Sequence, residues 1–405
     1  MKKIKMLWIA QSVPCSKTTH AGGKTFYYYF NQFLSDQRFE VNFIGIAEGL
    51  DRVLSKETIE SELSKVNHYI IYWDSFDIRR IINLESSLNL WNRNAGLISN
   101  YYEKMILNSV RKMKDDGFVP DIIILEWTSM VILCGKIKNI FPNAKFVASE
   151  HDVTFVGYER KYLYYRMFRQ FIWKIRYNNE KKKEIDALKL CDLVLPHNAD
   201  NIELLMQEGI PSYKLQSLVP YYNDMSSIQR NSNNRDILFW GSMSRPENYL
   251  SVIWFLDNVM PRLEDLNIKF VVLGNNPPKC IRDRAGEKVI ITGYVESIIP
   301  CFENAMCMVA PLVLGAGIKV KILEGLSSGM PVITNNIGIE GIGAEKNKEF
   351  IYCDNADDYE AAIRRVYFDD VEFVGINGRK FVKKTFDMEE SAKRYKEKII
   401  ELIKR

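Results

Sequence analysis

The chain has 405 residues, 47% of them hydrophobic, enough for two to three domains with substantial cores. Its formal net charge of +4 is small for this length and gives nucleic-acid binding no compositional support. Seven cysteines without any C-x-x-C pair argue against a disulfide framework or zinc site and for a reducing compartment.

The first residues carry an unbroken run of only five apolar positions before Gln11, Met6 to Ala10, too few for the apolar region of a signal peptide. No window reaches the roughly 18 apolar residues of a membrane span. The expected location is cytoplasmic. Residues 6–10 read as a first buried strand, after which Gly22 and Gly23 open an aromatic helix near Lys24. Strand, glycine turn and helix is the order in which free backbone N–H groups and the positive end of a helix dipole meet a phosphate. With only a glycine pair, packing and ligand binding explain this turn equally well.

Short apolar runs follow at 41–46, 68–73, 121–125, 145–148 and 193–195, separated by longer amphipathic stretches. This alternation predicts βαβ units and a parallel sheet with helices on both faces, one α/β domain over residues 1–220. Ser149, Glu150, His151 and Asp152 stand at the end of the 145–148 strand, where a histidine reaches the rim of a doubly wound sheet. His151 is either a satisfied structural histidine or a ligand contact, with Glu150 and Asp152 as candidates to fix its tautomer. The most basic and aromatic stretch, 158–183, fits two readings. One is a helix packed on its own domain with a solvated basic face, the other an interfacial helix on an anionic bilayer.

A hinge is expected at 219–222 and a polar surface loop at 226–236. The alternation then restarts with strands at 237–241, 269–273, 289–292, 306–312, 331–334 and 350–353, a second α/β domain over 221–387. A last helix follows at 388–403, with Asp387 as its expected cap. Gly241 closes the first of these strands and leads into Arg245; Gly274, Asn275 and Asn276 follow the second; Gly293, Tyr294 and Val295 follow the third. After the fourth, Gly315, Ala316 and Gly317 turn into a helix expected over 318–328. At about 100° per residue, Ile322, Leu323 and Leu326 share one side and Lys321, Glu324 and Ser328 the other. Lys319 and Lys321 lie about 200° apart on that wheel. Lys321 is therefore expected to face the glycine turn, and Lys319 to snorkel along the apolar side.

The run Gly315-Ala316-Gly317-Ile318-Lys319-Val320-Lys321-Ile322-Leu323-Glu324, followed by Gly329-Met330-Pro331-Val332, resembles the retaining nucleotide-sugar glycosyltransferases of the GT-B fold, glycosyl transferases group 1. Its polysaccharide-biosynthesis subgroup has the wording G-A-G-x-[KR]-x-K-[IVL]-L-E. The stretch from Asn248 through Trp254 and Phe255 to Pro261, Arg262 and Leu263 resembles the same subgroup. The resemblance implies two Rossmann-like domains facing across a cleft, with helix 388–405 packing back on the first. It implies a metal-independent hexosyltransferase that moves a sugar, with retention, from a nucleotide-sugar to a glycan or lipid-linked glycan in surface polysaccharide assembly. The nucleotide-sugar is a substrate, and no cofactor or nucleic acid is implied. Peripheral contact with the inner membrane face goes with the interfacial reading of 158–183.

Carried over by motif, His151, Lys321 and Glu324 are the expected catalytic residues, with Glu324 gripping the donor ribose. Gly22, Gly23, Gly241, Arg245, Gly293, Tyr294, Val295, Gly315, Ala316, Gly317, Ile318 and Lys319 are the expected donor-binding residues. The chain departs from the commoner pattern at Ala316, where a glutamate is usual, and at Ser242 and Asn248, near positions usually held by Arg and Lys. Those departures also suit a catalytically silent glycan-binding or partner subunit, and a sugar-nucleotide epimerase is a further alternative.

Overall fold

The computed structural model describes residues 3–18, 20–47, 55–72, 97–231, 234–369 and 371–404; Trp73, expected to end a strand, lies outside them. Two compact units divide the chain: Met1–Tyr221 with Met388–Arg405, and Tyr222–Asp387.

Unit one is built on β1 (Ile4–Ala10), β2 (Phe39–Ala47), β3 (Asn67–Tyr72), β4 (Ile122–Glu126), β5 (Lys145–Glu150) and β6 (Leu193–Pro196), in the order β3-β2-β1-β4-β5-β6. All the pairings are parallel. The unbroken apolar run Ile122 to Leu125 has this cause, because a central parallel strand is covered on both faces. Alternate residues serve two cores, as a period of two requires. Leu7, Ile9, Ile123 and Leu125 face one side of the sheet, together with Ile106 and Val110 of the helix Asn100–Asp115. Met6, Trp8, Ile122 and Ile124 face the helix α1 (Ala21–Leu34). Phe26, Phe30 and Phe33, at helical spacing, surround Trp8 with ring centroids 5.5–5.7 Å away. The C-terminal helix Met388–Lys404 adds Ala392, Tyr395 and Ile399 to this second core. Helices α2 (Thr154–Tyr164) and α3 (Met167–Leu190) pack on each other through Tyr158 against Trp173 and Phe155 against Tyr177.

Unit two repeats the winding with β7 (Asp236–Trp240), β8 (Lys269–Leu273), β9 (Val289–Gly293), β10 (Ala305–Ala310), β11 (Val332–Thr334) and β12 (Ile351–Tyr352), in the order β12-β11-β10-β7-β8-β9. In each sheet the order reverses once, between β1 and β4 and between β7 and β10. Ligands of such sheets bind outside the carboxyl ends of the strands at that reversal. Two helices border it in unit two, α4 (Pro246–Asn258) and α5 (Val320–Ser327). The expected helix 318–328 thus begins later: Lys319 is its N-cap, with extended dihedrals of φ −88° and ψ 92°.

Candidate functional site

In unit one, four neighbouring strands lead into residues that meet at one end of the sheet. Gly22 lies in the first turn of α1 after β1, Glu126 ends β4, His151 follows β5 and His197 follows β6. His151 Nε2 is 2.6 Å from Glu126 Oε1, which also accepts a hydrogen bond from Ser149 Oγ at 2.8 Å. The other oxygen, Oε2, accepts from Trp8 Nε1 at 2.8 Å, and Ser149 Oγ reaches His197 Nε2 at 3.2 Å. Trp127 stacks on the His151 ring at 4.5 Å with planes 12° apart, from a backbone φ of +69°. For a non-glycine residue that conformation costs on the order of 1–3 kcal/mol and is held only by its surroundings. A β-carbon on Gly22 would lie 3.3 Å from His151 Nδ1 and 3.4 Å from Trp127 Nε1, so glycine keeps this edge of the imidazole open. Gly23 N–H donates to His20 Nδ1, the cap of α1, at 2.9 Å.

Burial governs protonation here. It pushes Glu126 up to about 7, opposed by His197, Ser149 and Trp8. It lowers His151 to about 3, with His20 adding to the effect, and takes His197 well below the ordinary range. The Glu126–His151 contact is therefore a hydrogen bond of a neutral imidazole, not an ion pair. Ionised Glu126 accepts the Nε2 proton and leaves Nδ1 as an acceptor; protonated Glu126 donates to Nε2 and places the hydrogen on Nδ1.

Glu150 and Asp152, expected to orient His151, do not do so. Glu150 leaves β5 on the face opposite Ser149 and accepts from Thr128 Oγ1 at 2.5 Å, while Asp152 is exposed. Among the described residues, Glu126, His151 and His197 are the one His/Cys/Asp/Glu group with donor atoms within 4.8 Å of one another, as a metal would need. Two ligands of one tetrahedral zinc, each bonded at about 2.0–2.1 Å, sit roughly 3.3 Å apart. The 2.6 Å separation is that of a shared proton.

In unit two the chain ends β7 at Gly241 and β8 at Gly274, with φ of +153° and +155°. A β-carbon on Gly274 would fall 1.8 Å from the Gly241 carbonyl oxygen, so these two turns touch only as glycines. Gly241 in turn admits Lys321, whose ammonium would be 3.0 Å from a β-carbon there. Lys321 Nζ donates to Asn248 Oδ1 and lies 4.8 Å from the Phe239 ring centroid. Enclosure lowers Lys321 to about 7, helped by the charges of Arg245 and Lys319 and opposed by Glu247 and Glu324. Its hydrogen-bond partner is a neutral amide, so an arriving anion would stabilise the charged form. Three residues on, Glu324 is 4% exposed and both its oxygens are held. Oε2 accepts from Trp240 Nε1 at 2.7 Å, and Oε1 from Asn223 Nδ2 at 2.5 Å and Asn223 N at 3.3 Å.

Lys319 does not snorkel. Because α5 starts at Val320, its side chain turns back into the glycine loop, donating to the Gly317 carbonyl and pairing with Glu340 at 3.2 Å. A β-carbon on Gly315 would lie 3.0 Å from Lys319 Cε, so the loop is wrapped around this side chain. Ala316 and Ile318 are half-buried beside it. Arg245 precedes α4, largely exposed and 3.6 Å from Glu247. Gly293 ends the edge strand β9, two strands from β7; Tyr294 is 78% exposed and Val295 half-buried.

Sequence reasoning did not single out Glu126, Trp127, His197, Asn223 or Trp240. A carboxylate closing an all-apolar strand run was the available signal for Glu126, and an indole closing β7 for Trp240. Nothing local marks Asn223.

Residues 234–369 match the family model described as Glycosyl transferases group 1, a segment that lies inside unit two and contains Lys321 and Glu324. A curated relative, the "Uncharacterized 44.6 kDa protein in cps region" of Klebsiella pneumoniae, is 26% identical over 152 residues, 35% of this chain and only 39% of that protein's length. Among solved structures, a glycosyltransferase from Rickettsia africae is similar over 100% of both chains, with 16% identity and a TM-score of 0.63. Sucrose-phosphate synthase from Thermosynechococcus elongatus is similar over 99% of both, with 12% identity and a TM-score of 0.70. Anabaena HepE in complex with UDP is similar over 98% of this chain and 100% of its own, with 12% identity and a TM-score of 0.66. With its second unit matching the glycosyl transferases group 1 model over residues 234–369 and its two doubly wound sheets, the chain is similar to that family in unit two and has the GT-B fold.

Proposed function

We propose that the protein transfers a sugar from a nucleotide-sugar to a hydroxyl acceptor with retained anomeric configuration, in the assembly of a surface polysaccharide. The observation that carries this reading is Lys321, an enclosed ammonium at the sheet reversal of unit two with a neutral amide as its hydrogen-bond partner. When the bond from the sugar to the nucleoside diphosphate breaks, negative charge builds on the leaving phosphate. Lys321 and the backbone N–H groups after β7 stabilise that charge from fixed positions, without a metal ion. Glu324, held by Trp240 and Asn223, accepts hydrogen bonds from the ribose hydroxyls of the donor. His151 offers Nδ1 to a sugar hydroxyl, with its tautomer set by Glu126. The UDP complex of Anabaena HepE supports a nucleotide ligand, and the cps-region relative supports the polysaccharide context.

The test is titration calorimetry with nucleoside diphosphates and nucleotide-sugars, followed by NMR of the product anomer in the presence and absence of a chelator. One nucleoside diphosphate should bind, and Lys321→Ala should abolish most of that binding. If none binds, a silent binding subunit becomes the better reading; an inverted product or loss of activity with chelator would overturn retention or metal independence.

A further inference from the structure

From the paired helices α2 and α3 we infer that this protein docks on anionic lipid bilayers through the turn that joins them. Leu163, Tyr164, Met167, Phe168 and Phe171 are 59%, 42%, 87%, 73% and 61% exposed, five large apolar side chains turned to water within nine residues. Leaving such a cluster in water is costly, and a continuous apolar patch of this kind marks a binding surface. The residues next to it supply charge of one sign. Positions 160–176 contain six Lys and Arg and no Asp or Glu, so removing them would change the formal net charge from +4 to −2. Arg166, Arg169 and Lys174 are exposed.

Aromatic rings form a belt behind the apolar turn. The Arg169 guanidinium lies 5.7 Å from the Tyr165 ring, and Lys161 and Arg176 lie 4.9 and 5.1 Å from the Trp173 ring. An apolar tip backed by a belt of aromatic rings and cations matches the layers of an anionic bilayer, with hydrocarbon beneath ring-accepting headgroups and negative charge. A second copy of the chain suits this surface poorly, because it would set six cations against six. Among the described residues no helix is long and apolar enough to cross a membrane, and the attachment inferred for this turn is to the bilayer surface.

The experiment is co-sedimentation of the full chain with phosphatidylcholine vesicles, with and without phosphatidylglycerol, at low and high salt. Binding is expected only to the phosphatidylglycerol vesicles, weakening as salt rises. The double variant Phe168→Ser/Phe171→Ser should bind roughly tenfold or more weakly. Arg166→Glu/Arg169→Glu should also bind more weakly and lose most of the salt dependence. Both should unfold at the wild-type temperature, because none of the four side chains is buried. No binding at low salt, equal binding to neutral vesicles, or wild-type binding by both variants would overturn the proposal. So would a wild-type dimer in sedimentation that Phe168→Ser/Phe171→Ser dissociates, since the patch would then serve a second copy.

Discussion

Glu126 Oε1 lies 2.6 Å from His151 Nε2, and this contact decides which edge of the imidazole carries the proton. As Glu126 ionises through about pH 7, His151 Nδ1 changes from donor to acceptor. If the acceptor form engages a sugar hydroxyl, kcat/KM rises with pH through this range. Glu126→Gln, whose amide donates to Nε2 at every pH, should remove that limb and lower turnover about 10- to 100-fold. KM for the donor should be nearly unchanged. His151→Ala should lower turnover about ten- to a thousand-fold with the fold intact. A rising limb that survives in Glu126→Gln would assign the titration to another group.

Lys321 titrates in the opposite sense. Its free-state value of about 7 means that a fraction of the protein must take up a proton before it can hold a diphosphate as an ammonium. Affinity should fall by up to roughly tenfold per pH unit above that point, and the heat of binding should depend on the buffer's ionisation enthalpy. Together with Glu126 this predicts a bell-shaped kcat/KM profile centred near neutrality, with the alkaline limb absent from kcat once bound donor has raised Lys321. Lys321→Ala should weaken diphosphate binding by about 2–4 kcal/mol. Calorimetry in two buffers checks both statements, and identical heats would refute the proton uptake.

Lys319 should behave as a brace. Its side chain is 9% exposed and holds the Gly317 carbonyl and Glu340, so Lys319→Ala removes both contacts. The expected cost is about 1–3 kcal/mol in stability. Donor binding should be lost only to the extent that the glycine loop loosens. Lys321→Ala should show the reverse pattern, near wild-type or slightly raised melting temperature with lost binding. Matching profiles for the two variants in thermal unfolding and calorimetry would contradict this division.

Glu180 gives a prediction about stability alone. It is buried, neither carboxyl oxygen has a hydrogen-bond partner among the described residues, and burial, with Glu184 adding, pushes it up to about 9. A carboxyl raised above its unfolded value contributes stability that is complete below about pH 4.5 and is lost as pH rises through 9. Glu180→Gln avoids this loss. The variant should match the wild type near pH 4.5 and exceed it by about 1–3 kcal/mol at pH 8. Chemical denaturation at the two pH values measures the difference; a variant less stable at pH 8 would mean that the charge has a partner after all.

The strands were legible because parallel strands buried on both faces leave unbroken apolar runs, as Ile122 to Leu125 and Met306 to Ala310 do. Lys321 and Glu324 were legible as one polar face because both lie inside the regular part of α5. Lys319 was misread because helical spacing says nothing about a residue whose ψ is 92°. The orienting carboxylate of His151 was misplaced for another reason. Glu126 is 25 positions away and meets His151 only because β4 and β5 are neighbours in the sheet, a pairing that no local pattern encodes.

The return of helix Met388–Lys404 to unit one bears on how the chain folds as it leaves the ribosome. Ala392, Tyr395 and Ile399 complete a core whose other members, such as Trp8 and Phe33, are made first. Tyr29, too, bonds Ser391 Oγ at 2.7 Å. At about 5–20 residues per second, roughly 10–40 s separate the synthesis of residue 221 from that of residue 404. Throughout that interval unit one lacks part of its interior, whereas unit two is continuous and complete on emergence. Pulse proteolysis of stalled nascent chains should therefore find residues 222–387 protected before residues 3–221, the later-made unit maturing first.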